Sequence, residues 1–245
     1  MTTTTRRRPT GAGRAALDLF AGAPAAVRAH VHVRWWSAPF EPVAAALPVT
    51  GRVLEIGCGH GLFAAYATLS SPGRMVTGVD IDADKVVHAR AAAARLAATP
   101  GHGGAPGGRG DTTRLTFAVA ESGAVPAGPW DAVVVVDMLY LLPAAEQRRL
   151  LTEAVAALAP GGVLVVKEMG AEPRWKVRWN TLQETLSVKV LGITAGSSFD
   201  FVPPAQMAGW LTELGLSTTL HRLDCRRLHP HHLLVARRPA SDASA

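Results

Sequence analysis

Residues 53–61, Val-Leu-Glu-Ile-Gly-Cys-Gly-His-Gly, narrow the fold of this 245-residue chain more than any other segment. Val53, Leu54 and Ile56 make a short apolar run of buried-strand character, with Glu55 set near its end. Gly57, Gly59 and Gly61 then lead into a helical pattern that begins at Leu62. Glycine at a strand-to-helix turn permits positive φ and leaves no Cβ to hold a ligand off the main chain. The first amides of the helix would face a polar ligand group with the favourable end of the helix dipole.

The spacing departs from the dinucleotide fingerprint Gly-x-Gly-x-x-Gly, in which the third glycine comes three residues after the second. Here it comes after two, and Leu62 holds the expected place. With an acidic residue two positions before the first glycine, the stretch resembles motif I of class I S-adenosylmethionine-dependent methyltransferases. Later segments extend the resemblance. Met75-Val76-Thr77-Gly78-Val79-Asp80 reads as a second apolar strand ending in an acid. A carboxylate at that tip can accept hydrogen bonds from both ribose hydroxyls of a nucleoside. Leu115 to Val119 supply a third strand, followed by Ala120 and Glu121 where the family contacts adenine. Trp130-Asp131-Ala132-Val133-Val134-Val135-Val136-Asp137 resembles motif IV, and residues 158–166 resemble the turn and strand of the motif after it.

The resemblance runs over roughly residues 50–168 and implies a Rossmann-like α/β fold. Its seven-stranded, mostly parallel sheet has order 3-2-1-4-5-7-6, with strand 7 antiparallel and helices on both faces. It also implies S-adenosyl-L-methionine as cofactor, held by Glu55, Gly57, Cys58, Gly59, Gly61, Asp80, Ile81, Ala120 and Glu121, with Asp137 shaping its methionine end.

A chain of this length suits one α/β domain with modest additions. The expected organisation is a basic disordered tail over 1–13, a methyltransferase domain over 14–239 and a short tail over 240–245. Residues 14–48 form an N-terminal helical cap, broken at Pro24, and residues 171–203 a helical insert. Trp35 and Trp36 either line the cover over the cofactor or pack the cap against the core. Helical patterns also run over 42–47, 84–98 and 143–158, with edge strands over 217–223 and 232–237. The glycine-rich stretch 101–111 reads as a surface linker.

No apolar run approaches the roughly 20 residues of a membrane span, and Arg6-Arg7-Arg8 is not followed by a signal-like apolar stretch, so a cytoplasmic protein is expected. Cys58 and Cys225 are too few for a disulfide framework and lack metal-site spacing. Arginine outnumbers lysine and alanine is abundant, as in proteins from GC-rich bacterial genomes. The net charge of +6 sits near the termini: residues 1–14 carry four arginines and no acid, and residues 221–245 carry five arginines against two acids. The body between is close to neutral, which argues against a nucleic-acid substrate.

In an open α/β sheet, ligands bind beyond the carboxyl ends of the parallel strands, near the switch in strand order. With the cofactor on strands one and two, the acceptor falls over strands four and five. Their tips offer Asp137, Tyr140 and Glu168, and the antiparallel seventh strand begins beside them, bringing in His229 and His231. His231 is the preferred general base for a hydroxyl acceptor. The alternative for His229-Pro230-His231-His232 is an exposed polar turn entering an edge strand. Tyr140 either donates to the acceptor or walls its pocket, and Glu168 either orients the acceptor or pairs with Lys167 or Arg174.

In the insert, Leu182, Leu186 and Val190 form a stripe that Trp175 and Trp179 extend, opposite Arg174, Lys176, Arg178 and Lys189. Such a helix packs on the sheet, roofs an apolar pocket, or lies on an anionic membrane through residues 174–191. Phosphate-loop, zinc-helix and paired Cys-x-x-Cys motifs are absent from the sequence, as is the Asn/Asp-Pro-Pro-aromatic motif after strand four. The expectation is metal-independent, in-line methyl transfer to a small apolar, aromatic or lipid-like metabolite. Alternatives are an inactive S-adenosylmethionine-binding interaction protein, an RNA methyltransferase and a nicotinamide oxidoreductase.

Overall fold

A computed structural model describes residue 9 and residues 11–99, 114–121, 124–169, 200–223 and 231–240. The chain divides into two compact units, Met1–Ser122 and Gly123–Ala245.

The first unit contains α1 (Gly11–Asp18), α2 (Ala25–Ser37), α3 (Phe40–Ala45), β1 (Thr50–Ile56), α4 (Leu62–Leu69), β2 (Gly73–Asp80), α5 (Ala83–Ala97) and β3 (Leu115–Val119). Helix α1 starts at Gly11, three residues before the apolar periodicity first shows at Arg14. Its opening residues are small, and Gly13 is needed there: a Cβ on it would meet the Trp35 ring at 2.4 Å. Pro24 separates α1 from α2 by standing immediately before Ala25, where its missing N–H costs nothing. Trp35 follows the packing alternative: its ring lies edge-on to Phe40 and Tyr66. Trp36 is exposed.

Strands β1, β2 and β3 pair in parallel, with Ile56 beside Val79 and Asp80 beside Val119. Val53, Leu54, Val76, Val79, Leu115 and Phe117 are buried, each side chain contributing roughly 1.5–3 kcal/mol of transfer free energy. Arg74, buried on β2, is held by backbone carbonyls. It donates to Pro48, Ala67 and Ala44 carbonyls and to Ser70 Oγ, which ties the ends of α3 and α4 to the sheet. Two of those acceptors lie near helix C-termini, the end of the dipole that favours a cation.

The second unit contains β4 (Trp130–Val136), a 3₁₀ turn (Leu139–Leu141), α6 (Ala144–Ala156), β5 (Leu158–Met169), α7 (Pro204–Glu213), β6 (Ser217–Arg222) and β7 (His231–Arg237). Ala132 to Val135 and Val163 to Val166 are buried on both faces, as the unbroken apolar runs require of central strands. Strand β5 runs parallel to β4 and antiparallel to β7, and β7 pairs antiparallel with β6. The seven strands form one sheet of order β3-β2-β1-β4-β5-β7-β6, flanked by helices, as expected. No helix among the described residues is long and apolar enough to cross a membrane. The insert over 171–203, the linker over 101–111, and His229 fall outside the described residues, apart from Asp200 to Pro203.

Candidate cofactor and acceptor sites

In the first unit, Glu55, Gly57, Cys58, Gly59, Gly61, Asp80, Ile81, Ala120 and Glu121 all stand at the carboxyl ends of β1, β2 and β3 or in the turns that follow. Gly57, Gly59 and Gly61 all have positive φ, at 74°, 54° and 81°. Their jobs differ. A Cβ at Gly59 would meet nothing within 4 Å among the described residues, so that backbone is open to a ligand. A Cβ at Gly61 would strike Phe117 Cζ at 2.4 Å and reach Ala89 Cβ at 3.0 Å, so the third glycine lets β3 and α5 pack against the turn.

The turn is fastened to β2 from two sides. The Gly57 and Cys58 amides donate to the Val79 carbonyl, and the Gly59 amide donates to Asp80 Oδ2 at 2.7 Å. Asp80 Oδ1 accepts from the Asp82 amide at 2.9 Å. Each carboxylate oxygen can accept more than one hydrogen bond, so Asp80 keeps capacity for ribose hydroxyls while organising the loop. Sequence reasoning gave Asp80 the ligand role and missed the loop anchor. Asp82 caps α5, its Oδ1 accepting from the Asp84 and Lys85 amides. Partial burial works against ionisation, yet the hydrogen bonds and charge of Lys85 hold the Asp82 carboxyl below its usual range.

Glu55 is 3 % exposed, and burial pushes its pKa up to about 8 against a hydrogen bond from the Ala64 amide. Its Oε2 has no hydrogen-bond partner among the described residues. Burial, with Glu55 and Asp80 nearby, pushes the Cys58 thiol far up, so it is an inert wall. Ile81 is 53 % exposed just past β2, while Ala120 is tied to β2 through its amide on the Asp80 carbonyl. Glu121 is exposed.

His60, between the second and third glycines, was not among the expected residues. Its ring lies 4.7 Å from that of His30 on α2 and 6.0 Å from that of His88 on α5. Burial, then the charges of His30, Lys85 and His88, push its pKa down to about 4, so it is neutral near pH 7.

A buried nucleoside ligand that carries a cation fits these groups. It needs main chain without side chains, which Gly59 provides, an acid at the second strand tip, which is Asp80, and a buried acceptor with spare capacity, which is Glu55 Oε2.

In the second unit, Asp137, Tyr140, Glu168 and His231 lie at or beyond the carboxyl ends of β4 and β5 and at the start of β7. Lys167 Nζ reaches Asp137, lying 2.5 Å from both of its carboxylate oxygens. Glu168 instead accepts backbone amides, from Met138 at 3.1 Å and Leu139 at 2.8 Å. Burial and then the Asp137 charge push the Glu168 pKa up to about 8. The Asp137 carboxylate is thus engaged by a lysine, which the sequence reading, with its bet on the methionine end of the cofactor, did not anticipate. The signal was present, since Lys167 interrupts an otherwise apolar buried strand.

Tyr140 stacks on Phe201, ring centroids 5.5 Å apart and planes 4° from parallel. The pocket-wall alternative for Tyr140 draws support from this stacking, and Phe201 is a residue the sequence did not single out. His231 is 2 % exposed and directly opposite Met169 in the β5–β7 register.

Similarity to known proteins agrees with this arrangement. The chain is 27 % identical over 197 residues to the ubiquinone biosynthesis O-methyltransferase of Xanthomonas axonopodis pv. citri, covering 75 % of each chain. It is 27 % identical over 194 residues to the fatty-acid O-methyltransferase of Mycolicibacterium smegmatis, covering 72 % of this chain and 64 % of that one. Among solved structures, magnesium protoporphyrin IX methyltransferase from Synechocystis PCC 6803 with bound SAH shares the fold, with a TM-score of 0.59, 19 % identity and coverage of 92 % and 93 %. A family model described as a methyltransferase domain matches residues 28–221, and the chain belongs to that family as a class I S-adenosylmethionine-dependent methyltransferase.

Proposed function

We propose that this enzyme methylates an oxygen of a small molecule with a substantial apolar part, such as an alkylated phenol or a fatty acid. The observation that carries the reading is the pair of relatives whose names specify O-methyl transfer, one in ubiquinone biosynthesis and one on fatty acids. The four-residue spacing of Leu182, Leu186 and Val190 in the sequence, with Trp175 and Trp179 upstream, supports an apolar acceptor.

When bound, S-adenosylmethionine supplies a methyl group already activated on a sulfonium. Asp80 would hold the ribose hydroxyls, Ile81 and Ala120 with Glu121 would flank the adenine, and the bare main chain at Gly59 would allow close approach. Glu55 would accept a hydrogen bond from the amino-acid portion, the end that Asp137 is expected to shape. On the acceptor side, Tyr140 would wall the site and His231 would take the proton of a hydroxyl acceptor. A buried histidine suits a step from which water is excluded. Most of the acceleration comes from alignment of methyl and acceptor.

The test is a methyl-labelled S-adenosylmethionine assay with dodecylcatechol and laurate as acceptors and a short RNA as control. Label extracted into organic solvent is expected with at least one apolar acceptor. A methyl ester is released by alkali and an aryl methyl ether is not, which identifies the oxygen attacked. Transfer to RNA alone, or cofactor binding without any transfer, would sink the proposal.

A further inference from the structure

We propose that Lys167 and Glu168, consecutive on β5, are positioning residues that hold the exit of β4, and with it Tyr140, in the conformation that receives the acceptor. The inference rests on the reading that the β4 and β5 tips face the acceptor. Consecutive strand residues point to opposite faces, so the pair grips the β4 exit from both sides.

Three successive residues are held. Asp137 sits at φ 52°, a left-handed conformation that non-glycine residues seldom adopt. Its carboxylate is engaged by Lys167 Nζ, and its amide donates to the Lys167 carbonyl at 2.8 Å. Met138 and Leu139 follow, and both amides donate to Glu168 Oε1. These amides open the 3₁₀ turn and have no partner within it, so Glu168 acts as its cap.

Tyr140 is the next residue. Its carbonyl accepts the Asp200 amide at 3.1 Å, and its ring stacks on Phe201. The same strand of chain is fixed again by Gln147, fully buried, whose Nε2 donates to the Leu142 and Asp200 carbonyls. Lys167 is wholly buried and Glu168 is 5 % exposed. A buried ion pair is a weak source of stability compared with apolar packing of the same volume, so specifying one conformation is the better account of this one. Acceptor geometry then depends on two side chains that act through the main chain of β4.

The test uses the full chain, with amide hydrogen exchange at Met138 and Leu139, calorimetry with S-adenosylhomocysteine, and rates with dodecylcatechol and laurate. Glu168→Gln keeps an oxygen that accepts from both amides. It retains their protection and stays within about threefold of the parent rate, with a flatter pH profile. Glu168→Leu loses the protection and raises acceptor KM roughly tenfold or more, while S-adenosylhomocysteine affinity stays within about twofold. Lys167→Met alone leaves the buried Asp137 carboxylate without its lysine, so it is paired with Asp137→Gly, which adopts the left-handed backbone freely. That double variant folds and, at saturating methyl donor, shows the same rise in acceptor KM.

Parent-like KM in the double variant overturns the proposal. So does a Glu168→Gln enzyme as slow as Glu168→Leu with its protection intact, since Glu168 would then exchange a proton with the acceptor itself. Should the parent methylate neither probe, the oxygen-acceptor reading fails and amide exchange decides the clamp. Protection lost in Glu168→Leu and kept in Glu168→Gln supports it; protection unchanged in both overturns it.

Discussion

The Gly59 amide donates to Asp80 Oδ2 at 2.7 Å, linking the glycine turn after β1 to the tip of β2 across 21 residues of sequence. The acid proposed for the ribose is therefore also the group that holds the turn at its point of closest approach. Asp80→Ala is expected to weaken S-adenosylhomocysteine binding by roughly 100-fold or more, the loss of about two hydrogen bonds to a charged group. Calorimetry reads it directly. Unchanged affinity would remove Asp80 from both roles.

Gly59 and Gly61 separate by what they do. Gly59→Ala places a methyl in open space but in a left-handed conformation, at a cost of about 1–2 kcal/mol, and its larger effect falls on cofactor affinity. Gly61→Ala drives the same methyl into Phe117, and roughly 3 kcal/mol or more is lost from stability. Urea midpoints and S-adenosylhomocysteine titrations on both variants check the contrast. Equal stability losses would show that the two positions do the same work.

Glu55 is expected, through its raised pKa, to make stability, and cofactor binding if it faces the cation, depend on pH. Its pKa is raised by burial to about 8, so its contribution to stability is fully present below the unfolded value near 4.5 and is lost as pH rises through 8. Denaturation midpoints should fall over that window, and Glu55→Gln should reduce the fall. The cationic methyl donor favours the carboxylate, so binding below pH 8 should release a proton and tighten as pH rises. Calorimetry in buffers of different ionisation enthalpy measures the proton. No difference between buffers would exclude Glu55 as a partner of the cation.

His231→Ala should slow transfer to a hydroxyl acceptor at neutral pH by roughly 100-fold, with the rate recovering as pH rises and the acceptor ionises. Affinity for S-adenosylhomocysteine should be retained. Because His231 is buried, the melting temperature is checked alongside. Turnover equal to the parent in a folded variant would remove His231 as the base.

The strands and the glycine turn were legible in the sequence because they rest on local signals, and the order of the strands followed from the family resemblance. Short β-branched apolar runs such as 132–136 and 163–166 suit buried strands, and a glycine between strand and helix marks where the chain turns. Trp35 and Glu168 were left open for the opposite reason. Whether Trp35 covers a ligand or packs depends on Phe40, Tyr66 and Gly13, which periodicity on α2 does not reveal. Whether Glu168 binds an acceptor or caps a turn depends on Met138 and Leu139, some thirty residues away.

The sequence by itself, through its resemblance to class I S-adenosylmethionine-dependent methyltransferases, pointed to the fold, the methyl donor and the residues expected at the carboxyl ends of β1, β2 and β3. Motif spacing and strand patterning carry that resemblance, since a nucleoside-binding turn needs particular residues at particular separations. The tertiary structure alone decided which partners those residues take. It made Gly59 an opening and Gly61 a packing contact, gave Asp80 the loop to hold, and set Lys167 on Asp137 with Glu168 on the Met138 and Leu139 amides. The physical reason is that hydrogen bonds and burial are formed between strands adjacent in the sheet, and adjacency there is unrelated to distance along the chain.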